Sequence, residues 1–175
     1  LVSIFYEFQL NRIFFSISIK NIECVKDNIY FFKYTISMNF DWLFTSIKKI
    51  GFEDVKMVVD KCDKRYIIIN TLPVDLQECL IKNTIPFNEE EKVINELLDN
   101  YEMKKIHVLL YGKNGVDATA DKKYKQLMGL GFSNIYIYVG GLFEWLLLQD
   151  IYGAEEFPTS GKIKDILKLK PEKIL

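Results

Sequence analysis

The 175-residue chain is short of the side chains that metal and triad chemistry use. It has one histidine, His107, which excludes a multi-histidine metal site and a triad with a second, supporting histidine. Its three cysteines, Cys24, Cys62 and Cys79, form no C-x-x-C pair and leave at least one thiol unpaired. That argues against a disulfide framework and against a structural zinc site. Charge of one sign is not in excess: 23 Lys+Arg stand against 24 Asp+Glu, so a basic field for gripping nucleic acid is not expected. No apolar run reaches the roughly 18 residues of a membrane span. No basic segment precedes a compact apolar stretch in the manner of a secretory signal. What is abundant is apolar material, 49% of residues, enough to fill a core and to exclude wholesale disorder.

Residues 1–37 lack glycine, proline and alanine altogether, while all nine glycines and all four prolines follow. This lead is built from Phe, Ile, Tyr, Asn, Lys and Ser, with alternation in Phe15-Ser16-Ile17-Ser18-Ile19-Lys20 and a second apolar run over residues 29–36. Lys26-Asp27-Asn28 offers a turn between them, so one reading is a β-hairpin. The other is a non-native lead: residue 1 is Leu, the first Met is Met38, and the composition is what A/T-rich DNA encodes. Both readings stand.

From Met38 the pattern is α/β. Residues 41–50 read as a helix closed by Gly51, and Phe52 to Lys61 as a second, with Val55, Val58 and Val59 on one face. Tyr66-Ile67-Ile68-Ile69-Asn70 suits a strand buried on both faces. Asn88 caps a helix running to about Tyr101, with Glu89, Glu90 and Glu91 at its positive end. Residues 106–111 form the next buried strand. A loop from Gly112 leads into a helix ending at Leu130-Gly131, and residues 134–139 form another strand, broken by Gly140-Gly141. Residues 143–149 read as a short apolar helix. Strand alternating with helix predicts a mainly parallel sheet of about five strands flanked by helices. The division is an extension over 1–37, one domain over 38–153 and a C-terminal tail over 154–175, carrying Ile163, Ile166 and Leu167 and a basic end.

Ligands in such sheets bind at the carboxyl ends of the strands. Gly112-Lys113-Asn114-Gly115-Val116-Asp117 is the loop best placed for that, because two glycines let several backbone N–H groups converge beside a helix start. The spacing is neither a P-loop nor a dinucleotide fingerprint. Taken alone it is equally a tight strand-to-helix turn. His107 fits a hydrogen-bonded core position, Glu89 to Glu91 a helix start rather than a metal cluster, and Phe132, Tyr136, Tyr138, Phe143 and Trp145 packing rather than base stacking.

The order of these segments, with Leu130-Gly131-Phe132 and then Gly140-Gly141-Leu142-Phe143-Glu144-Trp145, resembles the rhodanese-like family over about residues 50–150. The Gly-Gly-x-x-x-Trp end is the most specific part. The run from Glu144 to Gly153, with Glu156-Phe157-Pro158-Thr159, is similar to a large-DNA-virus or protist type of that domain. The resemblance implies a site at residues 112–117 with a cysteine nucleophile at its first position and an arginine at its sixth. This chain has Gly112 and Asp117 there. A glycine forms no covalent sulfur intermediate. An acid in place of a base repels an anionic substrate, by about 4 kcal/mol at ~4 Å and an effective dielectric near 20, less if exposed. The Asp-x-Arg usual after the first core strand is Asn70-Thr71-Leu72. The expectation is therefore an inactive, non-catalytic binding or structural module with no cofactor and no metal. Its partner is expected to be a protein, and its location cytoplasmic. The alternatives are a sulfurtransferase or related phosphatase using Cys79 as a relocated nucleophile, and a structural component of a larger assembly such as a virus particle.

Overall fold

In the computed structural model, which describes residues 46–173, the elements in chain order are β1 (Lys49–Ile50), α1 (Phe52–Lys61), β2 (Tyr66–Asn70), α2 (Phe87–Asp99), β3 (His107–Tyr111), α3 (Thr119–Gly129), β4 (Asn134–Tyr138) and α4 (Gly141–Tyr152). Short 3-10 turns cover Val74–Leu76 and Ile166–Leu169. The hairpin read within residues 1–37 lies outside the described residues, as do residues 41–45 of the expected first helix.

The four strands form one parallel sheet in the order β1-β4-β3-β2. Period-two alternation divides its side chains between two cores. Ile68, Leu109, Tyr111 and Tyr138 enter one core, with Val55, Val58 and Val59 of α1 and Leu142, Trp145 and Leu146 of α4. Ile69, Val108, Leu110, Ile135 and Ile137 enter the other, with Ile94 of α2 and Ala120, Tyr124 and Leu127 of α3. Helices thus cover both faces, as unbroken apolar strands require.

Two expectations need correction. Residues 46–50 are not helical; Lys49–Ile50 is a strand against Ile137 and Tyr138, and Gly51 precedes α1 rather than closing a helix. The outer edge of β4 has backbone groups to satisfy, and Ile137 N–H donates to the Lys48 carbonyl and Val139 N–H to that of Ile50 (2.8 and 3.3 Å). That pairing outweighs a helical spacing of apolar residues. Asn88 does not cap α2. The helix starts one residue earlier, and the carbonyl of Pro86, itself extended at φ −59°, ψ 144°, takes the N–H groups of Glu89 and Glu90. Proline suits this entry because its fixed φ and missing N–H cost nothing there.

The segment marked as a C-terminal tail packs on the domain: Phe157 and Leu169 both lie in the first core.

Candidate functional site

The loop over residues 112–117 sits at the carboxyl end of β3, beside the end of β4 and the start of α4. Its carbonyls are tied to α4: Leu142 N–H donates to Gly112 O and Phe143 N–H to Lys113 O, both at 3.0 Å. Such an approach requires a glycine at 141. Gly141 has φ +63°, and a Cβ there would fall 2.7 Å from Gly112 O and 2.8 Å from Asn114 N. The second glycine of the Gly-Gly pair is thus a backbone contact with the loop.

Asp117 folds back over the loop. Its Oδ2 accepts the Lys113 N–H at 2.8 Å, and its Oδ1 accepts both the N–H and the hydroxyl of Thr119, at 2.9 and 2.7 Å. Partial burial pushes its pKa up. The backbone N–H bonds of Lys113 and Thr119, the Thr119 hydroxyl and the Lys113 charge outweigh that and hold it below the ordinary carboxylate value. The carboxylate also fills the space above Gly112: a Cβ on that residue would lie 2.6 Å from Oδ2 and 3.0 Å from Cγ. An anion supplied by the chain itself therefore takes the Lys113 N–H of the loop.

Asn114 is buried. Its Oδ1 accepts the Val116 N–H at 3.1 Å and its Nδ2 donates to Leu169 O at 2.7 Å. Thr71 adds a neutral link, its hydroxyl 2.8 Å from that of Thr119. The niche left beside the loop, about 30 Å³, is lined by Lys49, Asp117, Asp121 and Tyr138 among others. Its charged lining is two carboxylates, Asp117 and Asp121, and one ammonium, Lys49.

The strand-ending tyrosines close the floor. Burial, reinforced by the hydrogen bond and charge of Glu144, pushes the Tyr138 phenol far above its ordinary value; its hydroxyl donates to Glu144 Oε2 at 2.6 Å. Burial likewise raises Tyr111, whose hydroxyl meets Ile81 N–H at 3.2 Å and the Thr84 hydroxyl at 3.0 Å. Trp145 is fully buried in edge contact with Tyr138 and Phe157.

Residues 112–117 lie in the loop between β3 and α3. Cys79 is only 1% exposed, its thiol donating to Gly161 O at 3.2 Å, and it does not line the niche. His107 is stacked between Tyr66 and Tyr136, with ring centroids at 4.8 and 5.9 Å. Glu90 pairs with Lys123, and among the described residues no three His, Cys, Asp or Glu side chains group as metal ligands. No helix among them is long and apolar enough to cross a membrane. Sequence reasoning missed Thr119 and the anchoring of Asn114; only the x-Asp-Ala-Thr-x run, which suits an Asp-led helix start, hinted at the former.

The family model of the rhodanese-like domain matches residues 63–148, which span β2 to α4 and the whole loop. The chain carries a rhodanese-like domain. Two solved structures with TM-scores of 0.51 agree on the fold. The BH2092 protein of Bacillus halodurans is similar with a TM-score of 0.51 at 18% identity, over 69% of this chain and 82% of that one. Yeast Ygr203w, described as a protein tyrosine phosphatase of the rhodanese family, gives 0.51 at 14% identity, over 70% and 97%. The Saccharomyces cerevisiae single-domain sulfurtransferase RDL2 gives 0.45 at 17% identity, over 65% and 98%. No curated protein matches the chain. In this rhodanese-like domain, then, the 112–117 loop carries no cysteine, serine or threonine.

Proposed function

We propose that this rhodanese-like domain is non-catalytic and acts as a binding or structural module for a protein partner. The observation that carries the reading is Gly112, which offers no nucleophile, under an Asp117 carboxylate 2.6 Å from where a Cβ would stand. A covalent sulfur or phosphoryl intermediate needs a nucleophile and a cradle free for the anion. Here residue 112 supplies no nucleophile, and the chain's own carboxylate takes the Lys113 N–H of the cradle. The relocated-cysteine alternative gains no support from Cys79, which is buried beneath the Gly161 carbonyl.

The test is turnover by the full chain, with thiosulfate and cyanide and separately with an aryl phosphate. No rate above background is expected. Turnover that disappears in Cys79→Ser would replace this reading with the relocated-cysteine one. As a positive control on the reasoning, Gly112→Cys with Asp117→Arg should be more active than Gly112→Cys alone.

A further inference from the structure

Residues 157–169 run from α4 to the 112–117 loop and bear on the loop from two sides. At the near end, Phe157 is buried against Trp145 with ring centroids 5.0 Å apart, and Gln149 Nε2 donates to its carbonyl at 2.6 Å. The Pro158 carbonyl takes Trp145 Nε1–H at 3.3 Å and Lys82 N–H at 3.1 Å. Ser160 N–H donates to Leu80 O at 2.8 Å, and its hydroxyl oxygen accepts Leu80 N–H at 3.1 Å. The Gly161 carbonyl covers the Cys79 thiol. A Cβ on Gly161 would run into the Glu78 carbonyl, so the contact is backbone on backbone. At the far end Leu169 is fully buried and its carbonyl holds Asn114 in the loop. The residues gripped in the middle act on the loop's other flank, because Ile81 N–H donates to the hydroxyl of Tyr111, the residue before Gly112.

Of the thirteen residues in 157–169, only Phe157 and Leu169 are buried, while the strands hold most of their side chains in two cores. Segments with few buried anchors open at lower free energy than the core they lie on. The four residues before Phe157 are all exposed, and Gly153 among them has φ +99°.

We propose that residues 157–169 form a strap that opens as a unit while the sheet stays folded, and that its opening exposes the Cys79 thiol and frees the 112–117 loop together. The inference does not rest on the absence of catalysis. It makes strap position the control on access to both the loop and the one buried thiol among the described residues.

The experiment is iodoacetamide labelling and backbone hydrogen exchange of the full chain at low denaturant, read peptide by peptide, with exposed Cys62 as the internal standard. Labelling of Cys79 and exchange at Lys82, Lys113, Val116 and Ser160 should show shallow denaturant dependence, against a steep one for β3. Leu169→Ala should speed Cys79 labelling and loop exchange by a common factor, about tenfold or more. Ile135→Val, in the opposite core, should speed β3 exchange several-fold and leave Cys79 labelling unchanged, since both strap states keep that core. The proposal is overturned if Cys79 labelling follows the steep dependence of β3, if Ile135→Val accelerates it, or if loop exchange ignores Leu169→Ala. The wild-type denaturant series decides the first point even if a variant fails to fold.

Discussion

Placing a side chain at Gly112 should destabilise the domain through Asp117. The new Cβ would meet Asp117 Oδ2, Cγ and Cβ at 2.6, 3.0 and 3.3 Å, so the carboxylate must swing away. It then surrenders bonds from Lys113 N–H, Thr119 N–H and the Thr119 hydroxyl. Hydrogen bonds to a charged group contribute about 1.5–3 kcal/mol each when buried, and this carboxylate is only half-buried, so a total cost of about 2–4 kcal/mol is expected for Gly112→Cys. Removing glycine flexibility from the unfolded chain returns about 0.4–1 kcal/mol, which does not cancel it. Asp117→Ala alone removes the same three bonds and should cost a similar amount, about 2–4 kcal/mol. In the double variant the clash has no second partner, so its cost should approach that of Asp117→Ala alone. The coupling energy from the four chemical denaturation curves should therefore be about 2–4 kcal/mol in size, since the same bonds are lost in both single variants. Additive costs, or a Gly112→Cys curve that overlays the wild type, would refute the placement of the carboxylate over Gly112.

Trp145→Ala should cost about 3–5 kcal/mol, because the ring is fully buried between Tyr138 and Phe157 and its Nε1–H is bonded to the strap; an unshifted melt would contradict that packing. Acid should weaken the loop in a defined direction. The folded pKa of Asp117 lies below its ordinary 3.8, so its contribution is complete above that value and fades as pH falls through the folded one. Melting temperature measured from about pH 5 to 2 should fall less steeply in Asp117→Asn than in the wild type, and identical slopes would remove Asp117 from the account.

Much of the fold was legible because burial on two faces leaves a plain mark. Tyr66–Asn70, His107–Tyr111 and Asn134–Tyr138 are short apolar runs bounded by turn residues, and Val55, Val58 and Val59 share one helical face. The same local reasoning failed at residues 46–50, where the deciding partner, β4, lies about 90 positions away in sequence. It also misjudged the entry to α2, because Pro86 and Asn88 are both acceptable starts and only the backbone path separates them. At the site, the identities at 112 and 117 were visible as letters. The return of Asp117 onto Lys113 N–H was not, since no spacing rule foretells which way a short acid turns. The link between Asn114 and Leu169 joins residues 55 apart and has no local signature.

The contact between Gly141 and the loop has a consequence for how such chains are recognised. The Cβ-free position at 141 is demanded by Gly112 O and Asn114 N, atoms of the backbone that stay in place whatever side chain stands at 112. A glycine imposed by mechanical fit is required whether or not the loop beside it carries chemistry. The letters that advertise the architecture are therefore silent on whether it turns over substrate, and a search keyed to them gathers working and silent members alike. The informative letters are the pair at 112 and 117, whose identities the fit of Gly141 against the loop backbone does not dictate.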